Sequence, residues 1–259
     1  IINIQQRAGM EDATAQFMKH YKDSEKAKFL VMPVIDENGK LLWEWKYSYE
    51  DVERLKTSEE TCNIFNTQYM QEPVPLEGLL FPKNEIKYYE VLPEDPDYIL
   101  INIDPADEGN DHLNCNLYLV KDDKVFVSEV IYTKDNSTIT IPRIEQLVIT
   151  SKTNYLRCES NGGWMIYYKE IRRRVDELGL SCECRYYNSI KNKELRIYNE
   201  APTILNRFLF ARTQNNEYSK AMTALIKYQK MVKNQEDDFP DNLAAVSQHL
   251  KKNDILKVL

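Results

Sequence analysis

The pattern of apolar and polar positions changes along the chain, and a proline-rich stretch separates its two parts. In the first part, helical spacing predicts a helix near residues 12–22, and an apolar run predicts a strand at residues 29–34. Five prolines and one glycine then mark residues 72–97 as an extended connection between two bodies. We therefore predict two regions, residues 1–92 and residues 93–259.

The second region begins with three strands that short loops connect. Apolar runs predict strands at residues 98–103, 112–120 and 124–131, and such short joins imply antiparallel neighbours. The later predicted elements are a helix around 141–148, a strand at 155–159, a helix ending at Gly179, a strand at 181–187, a helix near 217–233 and a last helix from about residue 238. This succession is the order of a ribonuclease H-like domain. The predicted fold class is α/β, a ribonuclease H-like mixed sheet flanked by helices and preceded by a smaller α/β N-terminal segment.

Several carboxylates stand at positions that this layout brings together. Asp104 follows the first strand, Glu159 ends the fourth strand, and Asp241 lies near the start of the last helix. In a ribonuclease H-like layout those strand ends lie side by side, and the N-terminus of a late helix packs against them. Asp238, three residues before Asp241, falls on the same side of a helical turn. Asp111, at the start of the second strand, is a candidate accessory ligand.

Convergent carboxylates suit the hydrolysis of a phosphodiester by two divalent ions. Two ions roughly 4 Å apart stabilise charge on the attacking and leaving oxygens, and oxygen ligands favour Mg²⁺ or Mn²⁺. We predict that Asp104 bridges the two ions, that Glu159 holds one, and that Asp238 or Asp241 holds the other. Two alternatives stay open: a solvated acidic turn at Asp104, and aspartates that only cap the last helix.

Charge is distributed unevenly along the chain. The formal net charge is −7, but residues 153–233 hold 15 Lys or Arg and 8 Asp or Glu, a local charge of +7 that leaves −14 elsewhere. One basic face is enough for salt-dependent contacts to nucleic-acid phosphates, although a solvated basic surface is the alternative. The residues predicted to contact DNA are Lys169, Arg172, Arg173, Lys191, Lys193 and Arg196.

Several other classes of function lack their sequence signals. No apolar run is long enough to span a membrane and no signal peptide is evident, so we predict a cytoplasmic location and no membrane partner. The five cysteines include no Cys-x-x-Cys pair, which argues against a zinc site or a disulfide framework. No Gly-x-x-x-x-Gly-Lys-Ser/Thr loop is present, so this chain is not expected to hydrolyse ATP. The start at Ile1, within a strand-like run, suggests a fragment of a longer polypeptide.

Seven short motifs follow one another in an informative order. They are residues 1–12, 65–73, 77–81, Asp104-Pro105-Ala106 with Gly109 and Asp111, residues 159–163, 193–197 and 237–244. In this order they are similar to motifs of the large subunit of tailed-phage or prophage terminases. The first three resemble the close of that family's ATPase domain and its linker, and the last four resemble its nuclease domain.

The resemblance implies a metal-dependent endonuclease that cuts concatemeric double-stranded DNA during viral packaging, with the same carboxylates as metal ligands. It also implies a portal protein and the small terminase subunit as partners, the host cytoplasm as the location, and residues 1–92 as the end of an ATPase domain with its linker. Two positions depart from the family pattern. Asn242 stands where the family often has alanine, and Glu236 stands where histidine is common.

Two other functions remain open at this point. A non-catalytic docking module for the portal or the small subunit would account for the acidic remainder of the chain and for its 17 tyrosines. A resolvase or transposase would share the predicted fold and the metal chemistry. Nicking of a supercoiled plasmid, metal-independent portal capture and a preference for four-way junctions would distinguish the three.

Overall fold

The computed structural model describes residues 2, 4–9, 12–58, 61, 64–73, 78–106, 111–189, 192–212, 215–230, 232 and 234–256. By its internal contacts the chain divides into two compact units, residues 1–77 with residue 259, and residues 78–258. The predicted division between residues 92 and 93 stays a prediction. Among the described residues, no helix combines the length and the apolar character needed to cross a membrane.

The first unit contains two helices and a small apolar cluster. Helix α1 (Ala13–Tyr21) begins after Asp12, whose side chain accepts a hydrogen bond from the backbone of Ala15. Helix α2 (Tyr49–Thr57) begins with a capping box, in which Ser48 and Asp51 satisfy each other's backbone donors. A π-helical turn covers Phe65–Tyr69. The buried core residues of this unit are Val34, Leu41, Val52 and Phe65.

The strand predicted at residues 29–34 is wrong. These residues form no strand, and Ile35 makes only an isolated bridge to Leu41. Pro33 has no N–H to donate and Leu30 is 82% exposed, so the run has no partner strand and only its end, Val34, reaches the core.

The second unit is built on one mixed sheet. Its strands are β1 (Lys87–Tyr89), β2 (Tyr98–Asp104), β3 (Leu113–Lys121), β4 (Lys124–Thr133), β5 (Tyr155–Glu159), β6 (Glu183–Tyr187) and β7 (Phe208–Ala211). They lie in the order β1-β7-β4-β3-β2-β5-β6. Strand β3 is antiparallel to both its neighbours, and the other pairs are parallel. The two hairpins of β2, β3 and β4 confirm the predicted antiparallel neighbours.

Helices cover both faces of this sheet. They are α3 (Ser137–Ser151), α4 (Met165–Glu177), α5 (Lys193–Arg207), α6 (Asn216–Lys227) and α7 (Asp238–Lys252). Leu100 of β2 packs in one core cluster with residues of α5, α6 and α7, such as Leu243. Its neighbour Ile101 packs in the second cluster with α3 and α4, for example with Ile144. Because successive side chains of a strand point to opposite faces, burial on both faces explains why β2 is apolar from Tyr98 to Ile103 except at Asn102.

The observed architecture confirms the predicted α/β class, a mixed sheet flanked by helices. Strand β5 has the predicted bounds, and the other predicted strands of this unit differ by a few residues. Sequence patterns missed β1 and β7 and gave no bounds for α5, which lies in a stretch predicted only as basic helix and loop. The two strands have only three and four residues, and β7 follows the last residue of α5 without a turn between them, so no breaker marks its start.

Candidate functional site

Two carboxylates lie side by side where parallel strands end. Asp104 is the last residue of β2 and Glu159 is the last residue of β5. The register places Ile103 opposite Cys158, so the next residue on each strand reaches the same edge of the sheet. Ile103 and Cys158 are fully buried, whereas both carboxylates are partly exposed. The edge therefore presents two acids at the point where the apolar core stops.

The first turn of α7 supplies two more carboxylates. Asp238 and Asp241 are 9% and 4% exposed, respectively. The backbone N–H of His112, just before β3, donates a 3.1 Å hydrogen bond to Asp238 Oδ2. Burial raises the pKa of Asp238 above its ordinary value, although Lys193 and this backbone bond oppose the rise. The aspartates lie at a helix N-terminus, where the helix dipole favours negative charge.

Three of these acids come within reach of one cation. Asp104, Glu159 and Asp241 each place one carboxylate oxygen within 4.8 Å of the others. Burial, followed by repulsion from Glu159, raises the pKa of Asp104 well above its ordinary range, while Lys193 opposes the rise. Burial also raises the pKa of Asp241 to about 6, against the opposing charges of Arg196 and Lys193. The acids are held close together at a cost in electrostatic repulsion.

Two cations of α5 neutralise Asp238 and Asp241, which form the helical half of the site. The guanidinium of Arg196 binds Asp241 with two hydrogen bonds, of 2.7 Å from Nε and 2.6 Å from Nη2. Both side chains are 5% exposed. Lys193 Nζ lies 2.7 Å from Asp237, 3.4 Å from Asp238 and 3.8 Å from Asp241. Although burial disfavours the charged ammonium, Asp241 and Asp237 raise the pKa of Lys193 above its ordinary value.

Asp104 and Glu159, at the strand ends, form the strand half of the site, and this half has no such ion pair. Within the part of the chain that the structure describes, neither Asp104 nor Glu159 forms an ion pair. Asn161 Nδ2 donates a 2.8 Å hydrogen bond to Glu159 Oε1 and a 2.9 Å bond to the carbonyl of Ser189. This contact orients Glu159 without neutralising it.

A buried amide fixes α7 against the sheet. Asn242 Nδ2 donates to the carbonyls of Asn102 (3.2 Å) and Asn114 (3.0 Å), and its Oδ1 accepts a 2.8 Å bond from the hydroxyl of Tyr118. Asn242 is 1% exposed. The contact holds the residue after Asp241 to both β2 and β3, which gives a structural role to the asparagine that departs from the expected pattern. Sequence reasoning recorded this departure but gave it no role.

The remaining predicted metal ligand is Asp111. Asp111 is exposed and does not belong to the group of three acids. Its charge is close enough to contribute to the raised pKa of Asp238. The ligand roles predicted for Asp104, Glu159, Asp238, Asp241 and Asp111 stay predictions.

The predicted DNA contacts fall into two sets. Lys169, Arg172 and Arg173 are exposed on α4, where Arg172 pairs with Asp176 and Arg173 pairs with Glu170 and Glu177. Lys193 and Arg196 instead hold the aspartates of α7. Lys191 lies outside the described residues. The DNA-binding role of these six residues stays a prediction.

The acids present fit a divalent cation. Hard oxygen ligands suit Mg²⁺, Mn²⁺ or Ca²⁺, and the three closest acids offer only oxygens. A cation between Asp104 and Glu159 would offset the repulsion that raises the pKa of Asp104. On these observations Asp104, Glu159 and Asp241 could hold a metal ion.

No family model and no curated protein sequence matches the chain. Solved structures do match. The large terminase of a thermophilic bacteriophage aligns with 95% of this chain at a TM-score of 0.60 and 13% identity. The chain spans 61% of that terminase. The terminase nuclease domain of human cytomegalovirus aligns with 68% of this chain and 96% of its own length, at a TM-score of 0.50 and 10% identity.

At sequence identities of 13% and 10%, these matches show that the fold is shared and show nothing about activity. The chain has the fold of a large terminase subunit, and this fold includes the ribonuclease H-like nuclease domain of such proteins. The terminase resemblance read from the sequence motifs is therefore confirmed at the level of the fold.

Proposed function

We propose that this chain contains a metal-dependent DNA endonuclease of the terminase type, which cuts concatemeric double-stranded DNA. The observation that carries the proposal is the approach of the Asp104, Glu159 and Asp241 carboxylates to within 4.8 Å at one edge of a ribonuclease H-like sheet. The terminase fold supports it, because a terminase nuclease domain from another virus has this architecture.

Each acid has a distinct task in this proposal. Asp104 and Glu159, which lack a cationic partner among the described residues, would hold Mg²⁺ or Mn²⁺, and Asp241 or Asp238 would complete the ligand set. When bound, two such ions supply charge stabilisation for the attacking and leaving oxygens of a phosphodiester. Arg196 keeps the Asp241 carboxylate in one orientation through its paired hydrogen bonds. Asn161 does the same for Glu159.

The wider assignments belong to the same proposal. Residues 1–92 would be the end of an ATPase domain with its linker, and similarity over 95% of the chain to a large terminase supports this reading. This part of the chain is not expected to hydrolyse ATP. The proposed partners are double-stranded DNA, a portal protein and the small terminase subunit, and the proposed location is the host cytoplasm.

Nicking of a supercoiled plasmid by the purified chain tests the catalytic proposal. With Mn²⁺ or Mg²⁺ present, we expect conversion to open-circular and linear DNA, and none with a chelator. Asp104→Asn and Glu159→Gln should each lower the rate by at least about 10²-fold, because each removes a ligand from the reacting centre.

Asp97→Asn is the matched control. Asp97 immediately precedes β2, at the end opposite Asp104, and is exposed. This variant should nick at the wild-type rate. Wild-type protein without activity, or equal activity in the Asp104 and Glu159 variants, would refute the proposal.

A further inference from the structure

A concave pocket of about 510 Å³ lies beside the acidic edge, between the strands β5 and β6 and the second half of α7. Arg157 of β5 and Arg185 of β6 line it on the sheet side. On the helix side it is lined by residues that lie three and four apart on α7, which are Ala245, Gln248, His249 and Lys252. None of the described residues that line the pocket carries a carboxylate. The pocket is therefore basic, in contrast to the acidic site next to it.

The two arginines project from the face of the sheet that α7 covers. The register pairs Arg157 with Arg185 on neighbouring parallel strands, which lie about 4.8 Å apart. Arg157 Nη1 donates a 3.2 Å hydrogen bond to the carbonyl of Ala245 in α7, which identifies the face. Tyr186, the residue after Arg185, points to the opposite face, where its ring meets Tyr168 of α4. Like charges at paired positions of neighbouring strands repel, so the two arginines favour an anion near them.

Arg157 is a buried charge with unused donors. It is 9% exposed, and its Nη1 also donates a 3.2 Å hydrogen bond to Asn102 Oδ1. Its guanidinium lies 4.1 Å from the ring centroid of Tyr187, a contact that fixes its position. Its Nε and Nη2 form no hydrogen bond with a described residue, and neither atom is fully enclosed. Burial lowers the pKa of Arg157; nearby tyrosines and Glu159 oppose this effect, but the proposal above assigns Glu159 to a cation. A buried charge is costly unless it is paired, so Arg157 calls for an anion.

Helix α7 adds a third cation. Lys252, its last residue, is exposed and forms no ion pair with a described residue. Burial, followed by the charges of Arg157 and Lys252, lowers the pKa of His249 to about 3, so both cations act on this imidazole. Arg185 pairs with Glu183 at 2.7 Å, but both side chains are more than half exposed and such pairs contribute little. Three positive charges therefore line the pocket, with no carboxylate among the described residues around it.

We propose that this pocket binds one backbone phosphate of double-stranded DNA, between Arg157 and Arg185 of the sheet and Lys252 of α7. The guanidinium fork of arginine matches the oxygens of a phosphate, with which it forms paired, charge-assisted hydrogen bonds. The choice of DNA as the ligand rests on the proposed nuclease function, whereas the need for an anion rests on the pocket alone.

The position of the pocket relates this phosphate to the site of cleavage. Arg157 lies two residues before Glu159 on the same face of β5, about 7 Å along the strand. Successive phosphates of a DNA strand are a similar distance apart. The pocket therefore holds the phosphate next to the one that is cleaved.

Fluorescence anisotropy of a labelled DNA duplex about two helical turns long tests the proposal, with a chelator present so that no cleavage occurs. Lys252→Gln and Arg185→Gln should each weaken binding several-fold. The double variant should reduce the slope of log affinity against log salt by up to about 0.9, the value for one phosphate contact on a duplex. The loss should be equal for duplexes of unrelated sequence, because phosphate contacts carry no sequence information. Arg157→Gln should weaken binding at least as much, and the two surface variants keep the test valid if that variant does not fold.

Lys227→Gln is the matched control, because Lys227 is the exposed last residue of α6 as Lys252 is of α7. It should bind the duplex like wild type. The NMR signals of the His249 imidazole should shift when duplex is added, because a bound phosphate offsets the charges of Arg157 and Lys252.

Three results would each overturn the proposal: unchanged affinity in Lys252→Gln and Arg185→Gln, unmoved His249 signals, or displacement of the labelled duplex by inorganic phosphate as effective as by unlabelled duplex at the same phosphate concentration. Weakened binding in the variants without nicking by wild type would refute only the nuclease function. Nicking by wild type with unchanged affinity in the variants would refute only the phosphate site.

Discussion

The two halves of the acidic site differ in how their charge is balanced. The helical half, Asp238 and Asp241, is buried against Lys193 and Arg196. The strand half, Asp104 and Glu159, forms no ion pair with a described residue, although the charge of Lys193 partly opposes the raised pKa of Asp104. The protein therefore supplies the counter-charge for one half and leaves the other half short of it. That difference indicates where an external cation belongs.

The largest expected effect comes from breaking the helical half. Arg196→Met removes both hydrogen bonds to Asp241 and leaves this buried carboxylate with only Lys193, 3.8 Å away, so the free energy of unfolding should fall by about 3–5 kcal/mol. Urea denaturation measures it. Arg212→Met is the control, since Arg212 pairs with Glu90 on the surface, and it should cost less than about 1 kcal/mol. A similar loss of unfolding free energy in both variants would mean that the buried ion pair contributes no more to stability than the surface pair.

The next effect concerns the amide that fixes α7. Asn242→Ala leaves the carbonyls of Asn102 and Asn114 without their donor, which should lower the free energy of unfolding by about 1–3 kcal/mol. Asn253→Ala, exposed just after α7, should change it by less than about 0.5 kcal/mol. If Asn242→Ala were as mild as the control, the amide would not hold the helix to the sheet.

Neutralising Asp104 in the strand half should raise the free energy of unfolding, whereas the changes in the helical half lower it. Below the ordinary Asp pKa, Asp104 is protonated in both the folded and the unfolded chain. As pH rises, the unfolded chain releases this proton first, because the folded-state pKa is raised, so wild-type stability falls. In a chelator, Asp104→Asn should therefore gain stability relative to wild type between pH 4 and pH 8, as urea midpoints would measure.

Asp97→Asn gives the comparison at the other end of β2. A hydrogen bond from Lys121 lowers the pKa of Asp97, so its contribution is present at neutral pH and is lost as pH falls. This variant should lose a little stability at pH 7 and match wild type in acid. An Asp104→Asn variant that followed the same trend would contradict the charge imbalance assigned to the strand half.

The smallest effect is expected at Asp111. Because this side chain is exposed and its charge is screened by water and salt, Asp111→Asn should lower Mn²⁺ affinity by less than about threefold. Isothermal titration calorimetry measures it. A tenfold loss would instead add Asp111 to the ligands.

Sequence patterns predicted the strand half well for a local reason. Asp104 and Glu159 each end a short strand-forming run, and the order of elements brings those ends together. The balance of charge could not be predicted in this way, because it depends on contacts between distant residues. Arg196 meets Asp241 across 45 residues, and Asn242 meets Asn102 across 140. Arg196 was predicted to contact DNA because the sequence shows a basic residue that follows a strand. The sequence does not show that Asp241 lies beside it in the fold.

Arg157 illustrates the same limit. Its guanidinium meets Asn102, the carbonyl of Ala245 and the ring of Tyr187, and no local pattern in the sequence predicts these contacts.

Titration of Mn²⁺ into the purified chain, followed by calorimetry, tests the central claim that the strand half holds the cation. Wild type and Asp97→Asn should bind Mn²⁺ alike, and Asp104→Asn and Glu159→Gln should each lose at least tenfold in affinity. Equal Mn²⁺ affinity in all four proteins, or no binding to wild type, would contradict the claim.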